Sequence, residues 1–429
     1  MKRAILTVGL GFGDEGKGAA VDYLSRQYDA DLVVRYCGGS QAGHNVQLPD
    51  GRRHTFSQFG AGTFADQRPR TFLGPNVIID PPALRREAQH LVELGVAHPA
   101  RLLTIHPDCL VTTPWLRLLN QLREHARGAD RHGSCGQGIG EARCYWLKHG
   151  RDAVVAADLR DRHVLRAKLE IQRQRVLLES QELLPRITGD VLAEMELWRL
   201  NATAVTDELA EALPTAVTVA DCPDFRTAVF EGAQGVLLDE YRGFHPHTTW
   251  NTVTLHHAWE LVEATGVTEV AVLGITRTYL TRHGAGPLPT YNADLTERLR
   301  DPGNPANAWQ GSLRCGWLDL PLLRYAAACV GPLDGLVVNH LDQVDGRFQM
   351  CERYDTEFLK NSPAPNLAWQ ARLTEQLQRA GPALQAAGRD EIIAALAEIA
   401  PVVIQGAGPD HRARRGEALH FRRRRGVKG

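Results

Sequence analysis

The sequence contains no C-x-x-C pair. Its eight cysteines, Cys37, Cys109, Cys135, Cys144, Cys222, Cys315, Cys329 and Cys351, are scattered over 429 residues. That spacing argues against a zinc site and offers no disulfide framework, so reduced thiols in a cytoplasmic protein are expected. Charge of neither sign is in excess: 49 Lys and Arg against 50 Asp and Glu give a formal net charge of −1. This removes the electrostatic case for nucleic acid or an anionic membrane as partner. No apolar run reaches the length that spans a bilayer. The opening MKRAILTVGLGFG has two basic residues before an apolar run, but that run ends in GDEGKG rather than at a small-residue cleavage site. It reads as a first buried strand. With no internal repeat and no clear linker, one domain over residues 1–429 is expected.

What is present is a repeated pattern, an apolar strand followed by a loop of glycine and polar residues. Ala4–Val8 runs into GLGFGDEGKG, Asp31–Tyr36 into GGSQAGH, and Val229-Phe230 into EGAQG. Val270–Leu273 runs into GITRTYLTRHGAGPLPT, Leu336–Asn339 into HLDQVDG, and Pro401–Ile404 into QGAGPD. An α/β fold with a large, mostly parallel central sheet and flanking helices produces this pattern, with its site at the strand ends. Helices are expected from about Gly18, after Pro81-Pro82, over 113–128, within 157–200 as long surface helices, and over 360–395. The basic tail HFRRRRGVKG reads as a solvated end.

GFGDEGKG, residues 11–18, satisfies the dinucleotide fingerprint G-x-G-x-x-G and most of the P-loop G-x-x-x-x-G-K-[ST] at once. As a dinucleotide fingerprint it needs an acid after the second strand, and that strand ends Arg35-Tyr36-Cys37. As a P-loop it keeps glycine amides and Lys17 for phosphate, but Gly18 stands where a hydroxyl would hold magnesium. Asp14 could supply that ligand, because an intervening Mg²⁺ dominates the local charge, and could also accept a proton. The bland alternative is a turn with an exposed acidic pair. His44, in GGSQAGH, would reach the same rim if the first two strands are neighbours, making an acid–base pair with Asp14. Gln234 offers a donor and an acceptor suited to a purine edge. Asp342 is an ordinary loop aspartate taken singly, and a guanine reader taken with a phosphate loop.

GDEGKG, GGSQAGH, GPNVIIDPPAL, ARGADRHGSCGQGIG, EGAQGVLLD, GITRTYLTRHGAGPLPT, RCGWLD and AGPD occur in this order. On these motifs the chain resembles the adenylosuccinate synthetase family over nearly its whole length. The resemblance implies a P-loop-like nucleotide site in a cytoplasmic homodimer. It implies a Mg²⁺-dependent ligase that joins L-aspartate to C6 of IMP, consuming GTP through a 6-phosphoryl intermediate. By motif match, Asp14 is the base and a metal ligand, His44 the acid, Lys17 the phosphate cation and Gln234 the purine-orienting amide. Gly43 offers the metal its carbonyl. GTP falls to Gly13, Glu15, Gly16, Gly18, Gly43, Asn45, His340, Leu341, Asp342, Gly406, Ala407 and Gly408. The purine monophosphate falls to Gln41, Ser134, Cys135, Gln234 and Thr249, and aspartate to Ser312 and Arg314.

Departures from the family pattern concentrate around the substrates. Gly11-Phe12 replaces Gln-Trp, Ser40-Gln41 replaces His-Asn, and Ser134-Cys135 replaces Thr-Thr. Glu141–Trp146 replaces P-A-Y-E-D-K, and the cross-dimer arginine aligns near His149, with Arg143 and Arg151 beside it. Gln310–Trp317 has lost arginines and keeps Arg314, while His340 replaces a lysine. These features resemble a diverged branch related to the 2-aminoadenylosuccinate synthetases. That likeness implies GMP or dGMP as the alternative acceptor, and the donor is open between GTP and ATP. Asp14, which fully switched members lack, is retained. A GTPase-like switch is the competing class; Gln234, His44 and an arginine loop together favour the ligase.

Overall fold

The computed structural model describes residues 1–128, 131–187, 200–299, 309, 311–362 and 364–424. Its centre is an 11-stranded sheet. Its first five strands are β1 (Arg3–Gly9), β2 (Leu32–Arg35), β3 (Arg70–Leu73), β4 (Leu103–Ile105) and β5 (Thr218–Val219). Five more follow, β6 (Thr227–Gly235), β7 (Glu269–Arg277), β8 (Gly335–Asn339), β9 (Val402–Gly406) and β10 (Arg414–Gly416). Across the sheet the order is β5-β4-β3-β2-β6-β1-β7-β8-β9-β10. Every pairing from β5 to β9 is parallel; β10 on β9, and Arg422–Arg423 on β7, are antiparallel. Ala4, Ile5, Leu6 and Val8 in β1 are fully buried, as a strand covered on both faces requires.

The first two strands are not neighbours, because β6 lies between β1 and β2, yet His44 and Asp14 still line one cleft. Strands also run further than their apolar residues do: EGAQG lies inside β6, and Ile275–Arg277 inside β7. Polar residues are accommodated there because the strand ends meet polar partners instead of the core.

The helices begin where the sequence punctuates them. Helix α1 spans Lys17–Gln27. In α2 (Pro81–Glu93), Asp80 caps Ala83 N at 3.1 Å. In α3 (Pro114–Arg127), Thr113 caps Leu116 N at 3.4 Å. Helix α4 is Ile139–His149. Helix α5, Arg162–Leu183, is less superficial than expected: Leu165, Leu169, Gln172, Val176 and Ser180 form a buried face. The rest of that expected helical stretch, 188–199, lies outside the described residues, as do tail residues 425–429. Residues 360–395 are not helical throughout. Helix Leu367–Arg379 gives way to strand Pro382–Ala386, which pairs antiparallel with Gln349–Tyr354, before helix Arg389–Ala397. Gly381-Pro382 breaks the helical pattern, and tertiary pairing decides the weak preferences of Ala383–Gln385. All eight cysteines are free. Among the described residues no helix is long and apolar enough to cross a membrane.

Candidate active site

The carboxyl ends of the central strands open into one cleft of about 1330 Å³. Gly13, Asp14, Gly16, Lys17 and Gly18 line it from the loop after β1. Gly16 caps α1 in the left-handed region, φ 85°, with no side chain on the first amides. An uncapped helix N-terminus at a cleft is an anion site. Asp14 also lies in the left-handed region, φ 57°, a strained place for a residue with a Cβ. Its Oδ2 accepts from His283 Nε2 at 3.0 Å. Burial opposes its ionisation. The His283 hydrogen bond and the charges of Arg277, His283 and Lys17 outweigh that, holding the carboxyl far below the ordinary range.

Glu15 answers the puzzle of the second carboxylate. It is buried, accepts from Gly11 N at 3.1 Å and Gly13 N at 2.8 Å, and pairs with the Lys17 ammonium. Expected among the GTP ligands, its side chain instead braces the loop from within. Asn339 Nδ2 adds a bond to the Glu15 carbonyl at 2.9 Å, tying the loop to β8.

Gly18 explains the missing P-loop hydroxyl. A Cβ there would lie 2.8 Å from the His44 carbonyl carbon and the Asn45 carbonyl oxygen. Both neighbours are backbone of strand His44–Gln47, which cannot yield cheaply. Gly18→Ser is therefore expected to destabilise the protein by about 1–3 kcal/mol without creating a metal ligand. A lowered melting temperature in calorimetry checks this; unchanged stability would remove the packing explanation.

Across the cleft, His44 is buried between two acceptors. Its Nδ1 meets the Glu231 carboxylate, and its Nε2 lies 2.9 Å from the Ala233 carbonyl. The protonated ring satisfies both acceptors. Burial pulls its pKa below the ordinary value, and Glu231 pulls it back up. Glu231 is fully buried on β6, with its other oxygen on Ala61 N at 3.0 Å. Burial would neutralise Glu231, but Arg35 and His44 hold its carboxyl below the usual range.

Gly43, Asn45, Gln41, Ser134, Cys135, Gln234 and Thr249 line the same cleft. Ser134 Oγ accepts from Asn120 Nδ2 at 3.0 Å, and burial pushes the Cys135 thiol up. His340, Asp342 and Gly408 line it too, whereas Leu341, Gly406 and Ala407 do not.

The expected aspartate clamp is not brought together. Ser312 is exposed, and neither it nor Arg314 lines the cleft. Arg314 Nη2 donates to the carbonyls of Gly284 at 2.7 Å and Gly286 at 3.0 Å. Buried Arg282 donates to the carbonyls of Ala285, Pro287 and His247 at 3.1, 3.1 and 3.0 Å, and sits 4.2 Å over the Phe12 ring. Positive φ at Gly284 and Gly286 lets the 284–287 turn aim its carbonyls at these guanidiniums. Gln310 lies outside the described residues.

A family model described as adenylosuccinate synthetase matches residues 6–382. The chain belongs to the adenylosuccinate synthetase family. The adenylosuccinate synthetase of Halothermothrix orenii is 34% identical over 363 residues, 81% of this chain and 80% of that one. That of Francisella tularensis subsp. novicida is 33% identical over 329 residues, 76% and 74% of the two chains. Two solved structures share the fold. Fully ligated adenylosuccinate synthetase of Plasmodium falciparum superposes with TM-score 0.72 at 20% identity, over 96% of this chain and 99% of that one. Cyanophage S-2L succinoaminodeoxyadenylate synthetase, bound to dGMP and to dATP as an energy donor, superposes with TM-score 0.58 at 18% identity, over 97% and 95%.

This member of the synthetase family is thus a GTP-binding ligase of purine biosynthesis that forms C–N bonds. The family uses Mg²⁺, and the donors here suit it: an ionised carboxylate at Asp14 and the Gly43 carbonyl, both hard oxygens on the cleft. Sequence reasoning missed Glu231, His283, Arg277, Arg282 and Asn339 in this synthetase. Glu231 alone carried a usable signal, a charge directly after the apolar Ala228-Val229-Phe230 of a central strand.

Proposed function

We propose that the chain, as one catalytic domain over residues 1–429, joins L-aspartate to C6 of IMP with GTP hydrolysis, giving adenylosuccinate. The observation that carries this reading is an ionised Asp14 beside the uncapped amides of α1, in the cleft that also holds His44. Asp14 takes the N1 proton, and O6 attacks the γ-phosphorus as GDP leaves, giving the 6-phosphoryl nucleotide. His44 turns its Nε2–H from the Ala233 carbonyl to the transferring phosphoryl while Glu231 keeps Nδ1, and Lys17 with the α1 amides offsets the phosphoryl charge. Gln234 orients the purine. The aspartate amine then attacks C6, phosphate departs, and the amine loses a proton. Asp14 and Gly43 would hold Mg²⁺, which supplies charge neutralisation on the nucleotide phosphates. We read the enzyme as a cytoplasmic homodimer.

GMP or dGMP as acceptor is the second reading, and one observation favours it. The buried Oε1 atoms of Gln41 and Gln234 have no hydrogen-bond partner among the described residues. A 2-amino group would donate to such an acceptor. A panel of IMP, GMP and dGMP, each with GTP or ATP plus aspartate, separates the readings through phosphate release and product mass. Turnover with IMP and GTP is expected; turnover with GMP or dGMP alone would transfer the function to the second reading. Phosphate release without an aspartate adduct would exclude both.

A further inference from the structure

Beyond β8 the chain turns sharply. His340 is in the left-handed region, φ 62°, and Gln343 N donates to the His340 carbonyl at 3.1 Å. The short turn Leu341–Gln343 places two consecutive polar side chains against each other. Gln343 Nε2 donates to Asp342 Oδ2 at 2.6 Å. Only the amide nitrogen can donate to a carboxylate, so the orientation of the Gln343 amide is determined. Asp342 and Gln343 line the same cleft as Gly408, Pro409 and Arg414. Arg414 is fixed there, donating to the Asp410 carbonyl at 2.7 Å and to Asn339 Oδ1 at 3.3 Å.

An amide nitrogen carries two hydrogens, and Asp342 uses one of them. The pair therefore presents a donor, an acceptor and an acceptor in sequence. The pairing edge of guanine presents the complement, the O6 acceptor followed by the N1–H and N2–H₂ donors. Adenine presents the reverse, an N6 donor against the Gln343 donor and an N1 acceptor against the Asp342 carboxylate, with no donor at C2, so in the same register it satisfies none of the three positions. Hypoxanthine lacks the 2-amino donor.

We propose that Gln343 is a specificity residue for the donor nucleotide, donating to guanine O6 while Asp342 accepts from N1–H and N2–H₂. This rests on the reading above that the donor nucleotide of the ligation occupies the cleft. Asp342 alone offers O6 no donor; Gln343 supplies one, so that the pair complements the three groups of the guanine edge.

Equilibrium binding of GDP, IDP and ADP to the full chain, measured by calorimetry, tests the assignment independently of turnover. In the unaltered protein GDP is expected to bind tightest, IDP roughly tenfold weaker and ADP roughly a hundredfold weaker. Gln343→Ala is expected to weaken GDP and IDP equally, by roughly tenfold. ADP affinity should not fall, and the GDP-to-IDP ratio, which belongs to Asp342, should not move. Gln343→Glu places a carboxylate against O6 and should weaken GDP further. Gln343 is half-buried on a turn outside the strands, so neither variant disturbs the core. Equal binding of GDP and ADP, or unchanged GDP affinity in Gln343→Ala, overturns the proposal. If GDP follows the expected pattern while no nucleoside triphosphate supports ligation, the ligase reading falls and this one stands.

Discussion

Asp14→Asn is expected to lower kcat by about 10³-fold or more while GDP affinity stays within a few-fold of the unaltered protein. Asparagine is the substitution that isolates the chemistry. It keeps the shape, tolerates the left-handed backbone at φ 57°, and can still accept from His283. It cannot take the N1 proton, and it offers the metal a neutral oxygen instead of a charged one. The loop's geometry is held by Glu15 and Asn339 independently of Asp14, so the phosphate cradle survives. Because Asp14 is ionised far below the ordinary carboxylate range, its own titration lies outside the working pH. Any acid limb in the activity profile therefore belongs to another group. Single-turnover assays with binding calorimetry check both halves; near-normal turnover would remove Asp14 as the base.

Glu231→Gln is expected to cost about 10²-fold in kcat and to move the alkaline limb of the kcat profile to lower pH. The sign follows from the charges around His44. Burial already lowers its pKa, and the Glu231 carboxylate is the main opposing influence. Removing that charge lets the pKa fall further, so the protonated acid is lost at lower pH as pH rises. The substitution also breaks the buried His44–Glu231 pair and removes a negative charge that favours the buried Arg35 guanidinium nearby. Breaking a buried pair in this way destabilises by about 3–5 kcal/mol, less where the amide keeps some hydrogen bonds. A kcat loss with no shift of the alkaline limb would mean that Glu231 supports the fold alone. Kinetics carried from about pH 8 down to well below the ordinary histidine value of about 6.5, as far as the fold allows, run beside thermal unfolding, separates the two.

The elements of the fold were mostly legible because their signals are short-range. Asp80 before Pro81-Pro82 and Thr113 before Pro114 mark helix starts within four residues of chain. Strand lengths and strand order were less legible. EGAQG read as a loop because its polar residues hide the end of β6, and β6 itself enters the sheet between β1 and β2 from nearly 200 positions downstream. The site divided along the same line. Asp14, Lys17 and His44 stand in recognisable loops, whereas His283, which hydrogen-bonds Asp14, lies 269 residues away from it.

The sequence by itself determined the alternation of strands and glycine loops, the family, and the residues that reach the cleft from its phosphate loop. Those features are carried by neighbouring residues, whose spacing survives without a fold. Tertiary structure alone decided which charges cancel and which remain for chemistry. Glu15 and Lys17 pair inside the loop, Glu231 holds His44, and Arg314 turns to the carbonyls of Gly284 and Gly286. Buried charges must find partners wherever packing places them, and those partners come from elements far apart in the chain.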